Sequence, residues 1–91
     1  NLDYAEQLAT MALEQVPDAE IFDTLGSVQS KRFMYGHAAK NLERAVALQP
    51  QNAAFHYRLG LAYLGMSDPT RARAALDRAV ALDPRLGEAR K

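Results

Sequence analysis

Leu42 to Pro50 read LERAVALQP, and 34 residues further on Leu76 to Pro84 read LDRAVALDP, with seven of the nine letters identical. A repeat of that length is too short for a domain and too long for a heptad, so each unit is one supersecondary element that buries its apolar face on the next copy. The register extends outward, because Ala19, Leu25, Gly26 and Ala38 recur as Ala53, Leu59, Gly60 and Ala72. The units are therefore 19–52 and 53–86. In each, a Leu-Gly pair sits in the first half, an alanine opens the second half and a proline closes it.

Caps and breakers divide each unit into two helices. Asp18 caps a predicted helix from Ala19 to about Arg32, Asn52 caps Ala53 to Leu64, and Asp68 with Pro69 opens Pro69 to Leu82. Gly36 is expected to open the helix that ends near Gln49. Pro50 and Pro84 close the second helices, because proline disfavours helical geometry in the residue before it. Short links make successive helices antiparallel. Gly26 and Gly60 are expected where the second helix crosses the first, faced by Ala38 and Ala72, while Leu25, Leu42, Leu59 and Leu76 fill the space between hairpins.

The residues before Ala19 fit the second half of a preceding unit. Ala5, Ala12 and Pro17 keep the spacing of Ala38, Ala45 and Pro50, so Leu2 to Gln15 is expected as a lone second helix within 1–18. Gly87 to Lys91 (87–91) is expected to start the next helix. The fold class is thus all-α, about five helices plus a C-terminal stub, and the chain reads as a piece excised from a longer repeat protein.

Little in the chain carries chemistry. Cysteine is absent, which excludes disulfides and thiolate metal sites. His37 and His56 are far apart and neither has a metal-binding companion at helical spacing. Ser27, Ser30 and Ser67 lack the company of a catalytic triad, and no glycine-rich phosphate loop occurs. The reading is of a noncatalytic protein that calls for no cofactor and no metal. Eleven basic residues balance eleven acidic ones, which argues against a nucleic-acid partner. No apolar run approaches the roughly 18 residues of a membrane span. Charge is unevenly placed: the first 25 residues hold six acidic residues and no Lys or Arg, whereas Arg71, Arg73, Arg78, Arg85, Arg90 and Lys91 crowd the end. Head-to-tail attraction between copies follows as one expectation.

These landmarks resemble the tetratricopeptide repeat, a helix-turn-helix unit of 34 residues. They are Leu25, Gly26, Ala38, Leu42, Ala45 and Pro50 in the first unit, with Phe22 ahead of them, and Leu59, Gly60, Tyr63, Ala72, Leu76, Ala79 and Pro84 in the second. The departures are Gln29 where the family has tyrosine, His56 where it opens with tryptophan, and Phe33-Met34-Tyr35-Gly36 and Ser67-Asp68-Pro69 at turns that usually read Gly-Asp-Tyr. They are expected to weaken individual contacts without shifting the register, with His56 packed and one ring nitrogen in solvent.

The resemblance implies hairpins stacked as a right-handed superhelix, an α-solenoid, with ligands bound on the concave surface of the first helices. The residues it places there are Glu20, Asp23, Ser27, Ser30 and Lys31 from the first unit and Ala54, Tyr57, Leu61, Leu64 and Gly65 from the second. One branch of the family grips the C-terminal carboxylate of chaperone peptides with Lys, Asn and Arg. Here Asp23, Ser27, Tyr57 and Leu61 occupy the comparable places, and Asp23 would repel that carboxylate. A weaker likeness, carried by the string from Pro17 to Gly26 with LERAVALQP and YRLGLAYL, is to repeats of bacterial envelope proteins serving exopolysaccharide or protein-sorting systems, and to strings preceding glycosyltransferase and sulfotransferase domains.

The implied function is a protein-interaction scaffold for a peptide or protein segment. The alternatives are a positioning array attached to an enzyme domain, and a self-association module. The last rests on Leu76 and Val80, expected to lie uncovered on the final second helix and so to pair with another copy as a homodimer.

Overall fold

A computed structural model of the chain describes residues 3–7 and 18–89. Residues 3–7 are helical. Then follow α1 (Ala19–Lys31), α2 (Tyr35–Leu48), α3 (Ala53–Gly65), α4 (Pro69–Leu82) and the short α5 (Arg85–Ala89), joined by links of two to four residues. Helices α1 and α2 pack as one hairpin, α3 and α4 as a second, and α2 against α3 joins them into an all-α stack.

The helix starts follow the cap chemistry. Asp18 accepts from the Glu20 amide at 2.8 Å, Asn52 from Phe55 at 3.2 Å and Asp68 from Arg71 at 3.1 Å, each satisfying an amide that has no intrahelical acceptor. Helix α2 differs. It begins at Tyr35, one residue before Gly36, and Met34 at its cap makes no side-chain hydrogen bond. Its first residue is instead held by packing, since the Tyr35 ring lies against Gly65 so closely that a β-carbon at that glycine would sit 2.3 Å from it. The two prolines act as expected: Gln49 and Asp83, which precede them, leave the helical region, and α2 and α4 stop at Leu48 and Leu82.

Within each hairpin the helices cross at the glycines. A β-carbon on Gly26 would meet Leu42 Cγ at 2.8 Å and the Ala38 carbonyl at 3.2 Å; on Gly60 it would meet Leu76 Cγ at 2.6 Å and the Ala72 carbonyl at 3.3 Å. Ala38 and Ala72 face the glycines as the sequence implied, but Leu42 and Leu76 do not serve chiefly to fill the gap between hairpins. Each lies on the glycine of its own hairpin, because the missing β-carbon leaves a hole the size of a leucine head. Leu42 in addition reaches Leu59 across the hairpin boundary within the main core cluster.

The same geometry overturns the expectation of an uncovered Leu76. It is only 7% exposed, and half-buried Val80 has Gly87 of α5 against it. Helix α5 starts at Arg85, two residues earlier than the expected Gly87, because Asp83 accepts from the Arg85 amide at 3.2 Å and caps it. Arg85 also bonds the Asp83 carboxylate through Nε at 3.0 Å and so holds that carboxyl below its usual range. At the other end, Arg32 pairs with Asp3 and with Glu6, the latter at 3.1 Å, tying the 3–7 helix to the end of α1. Ala12 and Pro17, on which the reading of a lone preceding helix also rested, lie outside the described residues.

The two hairpins solve one position differently. In the second, Tyr63 of α3 is buried in the core cluster that includes Ala75 of α4. The equivalent pair in the first is Gln29 and Asn41, both buried, with Asn41 Nδ2 donating to Gln29 Oε1 at 2.8 Å and to the His37 carbonyl at 3.2 Å. Gln29 was expected to weaken the packing. Its amide instead has a buried partner, which removes the penalty of an unpaired polar group. His56 likewise has a specific role: its Nε2 lies 2.8 Å from the Pro50 carbonyl, so this nitrogen carries the proton and donates.

Two outcomes test this packing. Gly60→Val should overpack the crossing by about 1–3 kcal/mol and lower Tm by roughly 4–8 °C for each kcal/mol, while Gly36→Ala, whose β-carbon meets nothing within 4 Å, should leave Tm unchanged or raise it; equal thermal scans for the two variants would contradict the crossing argument. Asn41→Ala should cost about 1–3 kcal/mol by leaving Gln29 unpaired, and adding Gln29→Tyr to it should recover most of the loss in denaturant melts, because the double change reproduces the Tyr63/Ala75 solution.

Candidate protein-binding surface

Helices α1 and α3 have their apolar sides in the core: Leu25 and Val28 on α1, and Phe55, Leu59, Ala62 and Tyr63 on α3, are buried. Of the strip expected on their other side, Glu20, Lys31 and Ala54 are exposed and Asp23, Ser27, Ser30 and Tyr57 are half-buried. Leu61 and Leu64 remain 43% and 49% exposed. An exposed leucine alone means little, but two of them one turn apart beside half-buried Tyr57 form a contiguous apolar stripe. Gly65 is exposed as well, with the Tyr35 ring of α2 packed against one side of it.

One contact ties the strip across the two helices. Arg58 Nη1 of α3 lies 2.5 Å from Asp23 Oδ2 of α1. Sequence reasoning missed Arg58, since the pair is 35 residues apart and only the stacking angle of the hairpins brings it to Asp23. The other carboxylate oxygen, Asp23 Oδ1, is buried and has no hydrogen-bond partner. The arrangement is an acidic group with a spare acceptor and neutral Ser27 and Ser30 on α1, beside an aromatic-aliphatic stripe on α3. The unpartnered Asp23 oxygen lies below the surface, so what the strip offers a ligand is the exposed apolar area of α3 and the half-buried hydroxyls of Ser27 and Ser30.

On the opposite side of α3, the Tyr63 hydroxyl donates to the Glu43 carboxylate of α2, and the Arg44 guanidinium lies 5.6 Å over the Phe22 ring. Beside the Tyr63–Glu43 contact is a groove of about 330 Å³. Burial, followed by the bond to Glu43, pushes the Tyr63 phenol up to about 12 from 10.0. His37 lines this groove while His56 caps Pro50, and among the described residues no three His, Asp or Glu side chains come together to hold a metal. Among the described residues no helix is long and apolar enough to cross a membrane.

Helical hairpins stacked in one repeating register define a helical-repeat protein. The family described as "TPR repeat" matches residues 35–67, which comprise α2 and α3, and the family described as "Tetratricopeptide repeat" matches 53–86, the whole second hairpin. Together they cover 35–86, more than half of the chain, and the chain belongs to the tetratricopeptide repeat family. A wheat (Triticum aestivum) protein described as "Hsp70-Hsp90 organizing protein" is 42% identical over 50 residues, which is 55% of this chain and 9% of that protein. The chain therefore spans a small part of the length of that relative.

The phenol supplies a pH test of the geometry. Its folded value lies above the unfolded one, so the stabilisation it gives is complete below pH 10 and is lost as the pH rises through about 12. Parent protein should lose more Tm over that interval than Tyr63→Phe, and phenolate absorbance should contain a late component that this variant lacks.

Proposed function

We propose that the chain is a noncatalytic interaction module that binds a peptide or protein segment on the α1/α3 strip. The observation carrying the reading is the apolar stripe of Tyr57, Leu61 and Leu64, left outside the core although the opposite side of α3 is packed. Its ligand is a segment that lays apolar side chains on α3 beside the polar side chains of α1. The likeness to a protein named for organising chaperones supports a protein partner. A ligand held by its terminal carboxylate is not favoured: Asp23 is acidic, and Arg58, the cation beside it, is already paired with it. Homodimer formation through α4 has lost its basis with the burial of Leu76.

The experiment is a titration of isotope-labelled chain with short apolar peptides, each with a blocked and with a free C terminus. Amides around Tyr57, Leu61 and Leu64 should shift, with blocked peptides binding at least as tightly as free ones. Leu61→Ser with Leu64→Ser should weaken binding roughly tenfold or more, while Tm changes little because both side chains are exposed. Retained affinity in that variant would refute the site, and a strong preference for the free carboxylate would refute the ligand chemistry.

A further inference from the structure

Both three-residue links inside the hairpins pass through the left-handed region, Phe33 at φ 62° and Ser67 at φ 61°. These positions are one repeat apart, so the turn itself demands that backbone. Ser67 is small and polar. Phe33 is bulky, pays the steric cost of the left-handed region, and is 79% exposed, so it recovers nothing by burial. A strained, exposed aromatic of this kind points to a use outside the fold.

Its surroundings define the use. The Phe33 ring packs edge-on to Tyr35 at 6.2 Å, Tyr35 packs against Gly65, and the next residue, Met66, is exposed and lines the groove beside Tyr63. The surface from Phe33 to Met66 is therefore a continuous aromatic and thioether ridge running into a cleft. The charge around it is mixed but unequally engaged: from Thr24 to Leu42 there is no Asp or Glu, while Lys31, Arg32 and Lys40 are basic, and the nearby carboxylates Glu43 and Asp68 are held by the Tyr63 hydroxyl and by Arg71. Arg32 is engaged by Asp3 and Glu6. Lys31 and Lys40 are exposed, and Arg71, on the far wall of the cleft, has only a long 3.6 Å pair with Asp68. The one carboxylate lining the cleft, Glu43, accepts the Tyr63 hydroxyl.

We infer that the α1–α2 turn and the cleft beside it form a second docking surface, separate from the α1/α3 strip, for an acidic protein segment carrying an apolar side chain. Phe33 and Met66 cover that side chain, and Lys40 and Arg71 meet flanking carboxylates. The cleft favours a protruding side chain over a flat lipid surface, to which Phe33 and Lys31 alone would suffice.

The test uses the full chain, labelled for amide detection, and a panel of short blocked peptides in which Asp and Glu flank a Leu or Phe. Basic peptides with the same apolar centre and phosphatidylserine vesicles are run beside them. Acidic apolar peptides should shift the amides of Phe33, Gly36, Lys40 and Met66. Phe33→Gly should weaken this binding by roughly tenfold or more and at the same time raise Tm, since glycine accepts the backbone that phenylalanine strains; Lys40→Glu should weaken it with Tm unchanged. The inference fails if no acidic peptide in the panel binds, if shifts appear only on the α1/α3 strip, if vesicles bind and peptides do not, or if Phe33→Gly binds normally. A fall in Tm for Phe33→Gly would also overturn it, because the ring would then serve the fold.

Discussion

The contact on which the structure depends is a leucine seated on a glycine, Leu42 on Gly26 and Leu76 on Gly60. A missing β-carbon lets two helices approach until backbone carbonyls of the second helix lie within about 3.3 Å of where that carbon would be. The leucine then loses much of its exposure inside its own hairpin, and Leu42 shares the main core cluster with Leu59 of the next. Each such burial is worth about 1.5–3 kcal/mol, a large share for a domain of this size. With this crossing held by the same glycine and leucine in both hairpins, the residues around it vary between them.

The interior itself tolerates two chemistries at one place. Tyr63 near Ala75 is a large residue beside a small one, with the polar end led out to Glu43; Gln29 with Asn41 is a polar pair closed on itself. Neither residue of a pair is interpretable alone. Glutamine at a tyrosine position reads as a defect until the asparagine twelve residues on is known to face it. Each pair leaves its buried polar atoms bonded by a different route, Gln29 and Asn41 to each other and Tyr63 to Glu43.

The candidate binding surfaces are what the core leaves outside. The α1/α3 strip of Glu20, Asp23, Ser27, Ser30, Lys31, Ala54, Tyr57, Leu61 and Leu64 was implied by the resemblance to the repeat family, which places ligands on the first helices. The turn surface of Phe33, Tyr35 and Met66 was not, because its members come from two links and two helices. Asp23 with Arg58, like Tyr35 with Gly65, is a product of how hairpins stack.

Sequence by itself determined the repeat, its 34-residue register, the caps at Asp18, Asn52 and Asp68, the stops before Pro50 and Pro84, and the glycines at the crossings. These are local, decided by one residue's own backbone preferences or by a period. Tertiary structure alone decided which surface each leucine serves, that Leu76 is covered, that Gly65 lies against an aromatic ring, that Gln29 has a partner and that Asp23 meets Arg58. Each of these joins residues of different helices, and the angle between packed helices, set by side-chain volumes on both at once, has no counterpart in any single stretch of chain.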